Sequence, residues 1–380
     1  MLKVSVIGGG PGGLYAAVLI KRHNPEAEIS VFERNARDST FGFGIVLSEE
    51  TLGNLDAADP ESAAEIREAF TYWDDLYVDF KGERIRSTGH GYSGLERLTL
   101  LRILARRAET LGVRVMWNSN VTDQKLLQNA DLVIVADGVN SSVRDAHSAK
   151  FQPSIDVRSN RFVWLGSDMP LPGFTFMFRE NEHGHWAVHA YQYMPGRSTF
   201  VVETTSDTFE HTGLPIDDES ATAEYVSRLF KEELGNYRVL TNRSHWRQFP
   251  VVHCEHWHFD NVVLIGDSAH TAHFSIGSGT KLALEDAIAL ALSLEENGYD
   301  TSSALAAYEE VRRPRSERIQ TAARSSMAWF EAIPEHWKLD PLPFCLSLIT
   351  RSGQITLEKL KKRDPAFAAQ LAAAGYAAST

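Results

Sequence analysis

Val4, Val6 and Ile7 form a short apolar run that breaks at once into Gly8-Gly9-Gly10-Pro11-Gly12-Gly13. Gly8, Gly10 and Gly13 fit the pattern G-x-G-x-x-G between a strand and a helix. The first glycine permits a tight turn, the second lets the backbone approach a pyrophosphate, and the third allows close helix–strand packing. A glycine turn alone is a weak signal, because such turns also serve packing. Here the next strand-like run, Ile29 to Phe32, ends at Glu33, 20 residues beyond Gly13, where an acid binds a ribose hydroxyl. Strand, helix and acid in register predict a dinucleotide-binding βαβ unit, with Pro11 and Gly12 opening the helix and Arg34 beside the acid.

Two further stretches share this logic. In Val262–Ala291 an apolar run to Ile265 ends in Gly266-Asp267, and Gly277-Ser278-Gly279 then opens an amphipathic helix carrying Asp286. A carboxylate at a strand tip grips a sugar-like hydroxyl, and a helix N-terminus aimed at the same place favours an anionic or electron-rich ring edge. Leu132–Arg144, LVIVADGVNSSVR, reads as a buried parallel strand ending at Asp137-Gly138, followed by Ser142 and Arg144.

Taken together, Gly8/Gly10/Gly13, Glu33, Ala136-Asp137-Gly138 with Ser142 and Arg144, and Gly266-Asp267 with Gly277/Gly279 and Asp286-Ala287 resemble the single-component (class A) FAD-dependent aromatic hydroxylases over nearly the whole chain. Phe41–Val46 (FGFGIV) and His273–Lys281 (HFSIGSGTK) resemble a narrower branch. It holds salicylyl-CoA 5-hydroxylase, 2-aminobenzoyl-CoA monooxygenase/reductase and the violacein-pathway tryptophan hydroxylase. The general family pattern has Pro where Phe274 stands and Asn where Lys281 stands. The resemblance implies bound FAD, NADH or NADPH as the reductant, and O2 that adds to the reduced flavin as a hydroperoxide before oxygen reaches an electron-rich ring carbon. It assigns FAD to Gly8, Gly10, Pro11, Gly12, Gly13, Glu33, Arg34, Arg97, Asp137, Gly266, Asp267, Gly277, Gly279, Thr280 and Lys281. Gly279 to Lys281 would stabilise negative charge at the flavin N1–C2=O edge. Lys281 and His273 are the candidate catalytic side chains. Phe43, Ile45, His189, Tyr191, Phe274 and Ser275 are the candidate substrate contacts, a CoA thioester being the favoured substrate.

Composition narrows the alternatives. The 380 residues are 43% hydrophobic and 23% charged, ordinary for a globular chain with a large core. No apolar run is long enough for a transmembrane helix, and the chain enters a strand at once, which leaves no room for a signal peptide. Cys254 and Cys345 are the only cysteines, so a reducing cytoplasm is expected. A net charge of −12 argues against nucleic-acid binding. An anionic substrate then needs local cations. The densest basic runs are Arg312-Arg313-Pro314-Arg315 and Lys359–Arg363; each reads first as a solvated helix face, with Arg312, Arg313 and Arg315 the candidates for CoA. His253-Cys254-Glu255-His256-Trp257-His258 is too crowded for a tetrahedral site and lacks a second ligand pair, so no metal is expected. No G-x-S-x-G follows a strand.

The expected organisation is α/β. A Rossmann-like FAD-binding domain of the glutathione-reductase type comprises 1–75, 95–150 and 255–330. An inserted antiparallel-sheet substrate domain comprises 76–94 and 151–254, with His189, Tyr191 and Tyr193 alternating onto one face. C-terminal helices fill 331–380. Leu95–Leu111 reads as a helix, with Arg97 opposing its dipole in the first turn, a placement that suggests a tether. After about Asp300 the pattern predicts helices over Ala304–Arg312 and Pro314–Ile333. The other functional readings are an FAD-dependent reductase that inserts no oxygen, a hydroxylase of tryptophan or another indole, and a non-catalytic nucleotide sensor.

Overall fold

The computed structural model describes residues 1–121 and 129–376. Residues 122–128 of the expected 95–150 stretch and 377–380 of the C-terminal segment lie outside the described residues. Among the described residues the strands form three sheets. The first runs, in spatial order, His258–Phe259, Val262–Leu264, Leu132–Val135, Lys3–Ile7, Glu28–Phe32 and Arg114–Met116. Its last five strands are parallel, and only His258–Phe259 is antiparallel. Their near-continuous Val/Ile/Leu content suits a sheet covered on both faces. The Pro11–His23 helix lies on it with Pro11 to Ile20 buried throughout, and packs closely against the Gly279–Glu296 helix near Gly12 and Ala283.

The second sheet is larger. Pro153–Ser167, Arg197–Thr204, Gly184–Met194 and Phe174–Asn181 form antiparallel neighbours, and Arg247–Cys254 pairs with Pro153–Ser167. One pairing departs from the all-antiparallel expectation: Phe174–Asn181 runs parallel to Leu76–Phe80, which the chain reaches from a distant segment. Period-two alternation gives this sheet two different faces. Trp186, Val188 and Ala190 pack under helices from 206–234, whereas Phe176, Phe178 and Ala187 pack against the C-terminal helices through Trp329, Phe330 and Phe344. A third sheet joins Gly44–Ser48, Tyr92–Glu96 and Thr71–Trp73. The expected helix at Leu95 therefore starts at Arg97, because Tyr92–Glu96 is committed to this sheet.

Pro314 does not divide the helix expected to break there. Thr301–Glu331 is one helix. The lost hydrogen bond falls on its solvent side, where Glu310 and Pro314 are exposed, while Tyr308, Arg312 and Ser316 anchor the buried side.

Candidate functional site

Because Lys3–Ile7, Glu28–Phe32, Leu132–Val135 and Val262–Leu264 are parallel, their C-terminal ends face the same way. The turns that leave those ends bring Gly8–Gly13, Glu33, Asp137 and Asp267 to one edge, where ligands bind in open α/β sheets. Gly8 adopts φ +106°. A Cβ on Gly8 would overlap the Ala136 carbonyl, and one on Gly13 would lie 2.1 Å from the Gly8 oxygen. A Cβ on Gly10 meets nothing within 4 Å. The turn is thus closed against the protein at two glycines and open at the third. Gly10 caps the helix without a side-chain hydrogen bond, so the first-turn amides remain available to a ligand. Glu33 accepts a hydrogen bond from the Gly9 amide at 2.7 Å through one oxygen and from Asn35 through the other. Arg34 beside it is exposed. Asp137 accepts from the Ser142 amide with one oxygen, and the other is buried without a partner among the described residues; burial raises its pKa.

Asp267 is solvent-accessible yet surrounded by protein atoms, as a group facing into a cavity is, and that crowding raises its pKa. Arg97, half-buried at the start of its helix, shares the cavity: burial lowers its pKa and the Asp267 charge opposes that. Its guanidinium stacks over Phe41 at 4.7 Å and its Nε donates to Thr40. The loop bearing Asp267 is held from behind. Asp286, fully buried, accepts from the Gly266 amide at 2.9 Å, meets His270 Nε2 at 2.7 Å, and accepts from Arg312 Nε at 2.8 Å.

That ion pair corrects the reading of Arg312 as a solvated or substrate-facing residue. It is 2% exposed and bound to Asp286 and Glu285. Arg313 is likewise engaged by Glu309, Glu317 and the Glu255 carbonyl. Arg315, one turn farther along the same helix, stays exposed, whereas Arg312 is drawn in by its two carboxylates.

The Gly279–Glu296 helix has no side-chain cap: the Ser278 hydroxyl turns back to Ile276, leaving the amides of Gly279, Thr280 and Lys281 uncapped. Gly277 precedes them in the left-handed conformation. The Lys281 ammonium is taken up by Glu50 at 2.9 Å and Glu285 at 3.5 Å, so the free charge expected at this position is compensated.

The other predicted side chains converge on one face of the large sheet. Phe43 packs against Gly166, and Ile45 is buried in the adjoining strand. Tyr191 donates to the Gly44 carbonyl at 2.7 Å, which fastens the 41–48 segment to the sheet. His189 is 3% exposed and lies behind Phe274 and Phe330, so it supports the wall that these rings form. Its Nε2 meets Glu203 at 3.1 Å, and Asn160 holds the other Glu203 oxygen. Burial opposes charge on both groups: it pushes the pKa of His189 well down and that of Glu203 up. His273, brought to about 4 chiefly by burial, bonds the Ser275 hydroxyl at 2.8 Å. Ser275 continues to Ser326, and Arg351 donates to Ser326 and to the Ser275 carbonyl. Glu203, Asn160, Ser326 and Arg351 escaped the sequence reading. Glu203 had a signal, a carboxylate within the β-rich run Phe200–Thr204; Arg351 had none.

In the HCEHWH segment, His253 and Cys254 belong to the Arg247–Cys254 strand, and His258 is held by Glu309 at 2.6 Å. Among the described residues no three His, Cys, Asp or Glu side chains are grouped to hold a metal, and no helix is long and apolar enough to cross a membrane.

The chain matches the FAD binding domain family over residues 1–323. It is 41% identical over 376 residues to the salicyloyl-CoA 5-hydroxylase of a Streptomyces species, covering 96% of this chain and 72% of the relative. It is 36% identical to 3-hydroxy-4-methyl-anthranilyl-[aryl-carrier protein] 5-monooxygenase of Streptosporangium sibiricum (94% and 97% covered). To protodeoxyviolaceinate monooxygenase of Chromobacterium violaceum it is 30% identical (92% and 94%). The fold is that of CtdE, solved with FAD and a substrate, at a TM-score of 0.71 and 17% identity over 93% of this chain and 99% of that one. The open Gly10 turn, the uncapped amides, and Asp137 and Asp267 at the strand ends fit that cofactor. The chain belongs to the FAD binding domain family and is an FAD-dependent aromatic monooxygenase.

Proposed function

We propose that this chain hydroxylates an aromatic acyl-CoA, salicylyl-CoA or a close relative, at C5, para to the ring's ortho hydroxyl or amino donor. The observation that carries the reading is the 41% identity to a salicyloyl-CoA 5-hydroxylase across 96% of the chain. The anthranilyl relative, also a 5-monooxygenase, supports the same regiochemistry on a carrier-bound ring.

Bound FAD, reduced by NADH or NADPH, supplies the activation of O2 for transfer to the ring. The protein binds and orients. Glu33, with Arg34 beside it, and the Gly8–Gly13 turn hold the adenosine and pyrophosphate, and Asp137, Asp267 and Arg97 the remainder of the cofactor. The uncapped amides of Gly279 to Lys281 favour negative charge at the N1–C2=O edge. Lys281 serves there through its amide, because its ammonium is paired. Phe43, Ile45, Tyr191 and Phe274 make an apolar wall that excludes water from the ring. His189, His273 and Ser275 fix that wall through buried hydrogen bonds. In this reading 1–75, 95–150 and 255–330 bind the cofactor, 76–94 and 151–254 the substrate, and 331–380 braces both.

The test supplies the FAD-loaded protein with NAD(P)H, 18O2 and, in separate reactions, salicylyl-CoA, 2-aminobenzoyl-CoA, free salicylate and tryptophan. Mass spectrometry should find one 18O at C5 of an acyl-CoA. Turnover of tryptophan alone would move the assignment to an indole hydroxylase. NAD(P)H oxidation driven by an added acceptor, with no labelled product, would make the chain a reductase.

A further inference from the structure

We propose that the cleft between the Gly279–Glu296 helix, the Thr301–Glu331 helix and the Leu357–Arg363 helix binds the phosphorylated adenine nucleotide of a CoA thioester. This rests on the acyl-CoA reading above and assigns the part of the substrate that the aromatic wall does not touch.

The cleft has a volume of about 1510 Å³. Pockets for small ligands run to roughly 300–1000 Å³, so this one exceeds what an aromatic ring needs. It starts beside Gly277 and Ser278, which open the uncapped helix, and is lined farther on by Arg315, Arg318, Lys359 and Arg363. These four cations come from the two basic runs of the sequence and its neighbour Arg318, which folding brings to one place. All four are exposed, and none has a carboxylate partner among the described residues. The Lys359 ammonium donates to the Gln354 carbonyl.

Their position follows from the packing. Arg312 lies opposite Asp286, and Ile319 packs with Leu282 and Ile276. Arg315 and Arg318 lie between those two contacts, toward the end of the neighbouring helix that begins at Gly279. The acids near this end are already engaged by other cations, Glu50 by Lys281 and Glu285 by Lys281 and Arg312. Glu296 stands at the opposite end of its helix. His90, also in the wall, is brought to about 4 by burial and by the Arg363 charge, and is neutral at pH 7. On a chain of net charge −12, four cations gathered in one cleft give a polyanion a local attraction. Guanidinium forks suit phosphate oxygens. A CoA nucleotide presents a pyrophosphate and a 3′-phosphate. The nucleotide of NADPH shares that chemistry, and the experiment separates the two.

The test uses FAD-loaded wild type and the variants Arg315→Gln/Arg318→Gln and Lys359→Gln/Arg363→Gln, all at exposed positions. KM is measured for salicylyl-CoA, for its pantetheine thioester, which lacks the nucleotide, and for NADH and NADPH. Each double variant should raise KM for the CoA thioester about tenfold or more, with kcat retained and the salt dependence reduced. KM for the pantetheine thioester and for both reductants should stay as in wild type. An unchanged KM for the CoA thioester overturns the proposal. So does a rise confined to NADPH, which would give the cleft to the reductant. Calorimetric titration with CoA tests the cleft apart from turnover. CoA binding that the variants lose supports the cleft even where no acyl-CoA is hydroxylated, a result that would overturn only the substrate reading. No CoA binding by wild type, with turnover of a carrier-bound acyl group, overturns both.

Discussion

At the scale of single residues, Asp286 shows how a buried charge serves a neighbour. Fully buried, it holds the Gly266 amide and His270, and so fixes the loop that carries Asp267. Burial alone would raise its pKa; His270, Arg312 and the hydrogen bonds outweigh that and bring it to about 2. A carboxyl whose folded pKa lies below its unfolded value of 3.8 adds stability above that value, and the contribution is lost as pH falls toward 2. Acid unfolding of wild type should therefore steepen between about pH 4 and pH 2, and Asp286→Asn should flatten that window. Arg312→Met leaves Asp286 buried without its cation and should cost about 3–5 kcal/mol in urea denaturation. Asp267→Ala removes a group that faces the cavity. The folded state should be unaffected, and FAD retention should weaken by about 1.5–3 kcal/mol, read by flavin fluorescence titration.

At the scale of elements, the glycine turn separates folding from binding. Gly13 is needed because the Gly8 oxygen occupies the space of a side chain, so Gly13→Ala should lower the yield of folded protein with or without FAD. Gly10 has ordinary dihedrals, φ −72° and ψ 177°, and open space beyond it. Gly10→Ala should leave the apoprotein's melting temperature within a degree or two, while the methyl group obstructs the approach of a pyrophosphate and reduces FAD affinity at least tenfold. Equal damage from both substitutions would contradict this division. The Thr301–Glu331 helix carries a similar lesson. Its proline was legible, but its continuity was decided by which side of the helix met water.

At the scale of the whole molecule, the C-terminal helices complete the aromatic wall from outside. Phe344 stacks on Phe80 at 3.7 Å between centroids, and Trp329 and Phe330 pack against the large sheet. Arg351 reaches across to Ser275 and Ser326, and burial lowers its pKa to about 10. Arg351→Met should strand the Ser275 carbonyl and lower stability by about 1–3 kcal/mol. It should also raise KM for the aromatic substrate while the FAD spectrum stays unchanged. A shifted flavin spectrum with unchanged KM would place its role at the cofactor.

The chain order by itself determined the edge of the parallel sheet at which the glycine turn and the carboxylates gather. Gly8–Gly13, Glu33, Asp137 and Asp267 each sit where a strand stops, and the periodicity of the flanking residues marks those stops locally. What lies behind and beside that edge belongs to tertiary structure. The pairing of Asp286 with Arg312, of His189 with Glu203, and of Ser275 with Arg351 depends on which helix and strand faces come together, and no local pattern records that. The same holds for Lys281 and for the two basic runs. Sequence shows a cation, but whether a neighbour takes it up, as with Lys281, or no carboxylate among the described residues pairs with it, as with Arg315, follows from the carboxylates the fold places within reach.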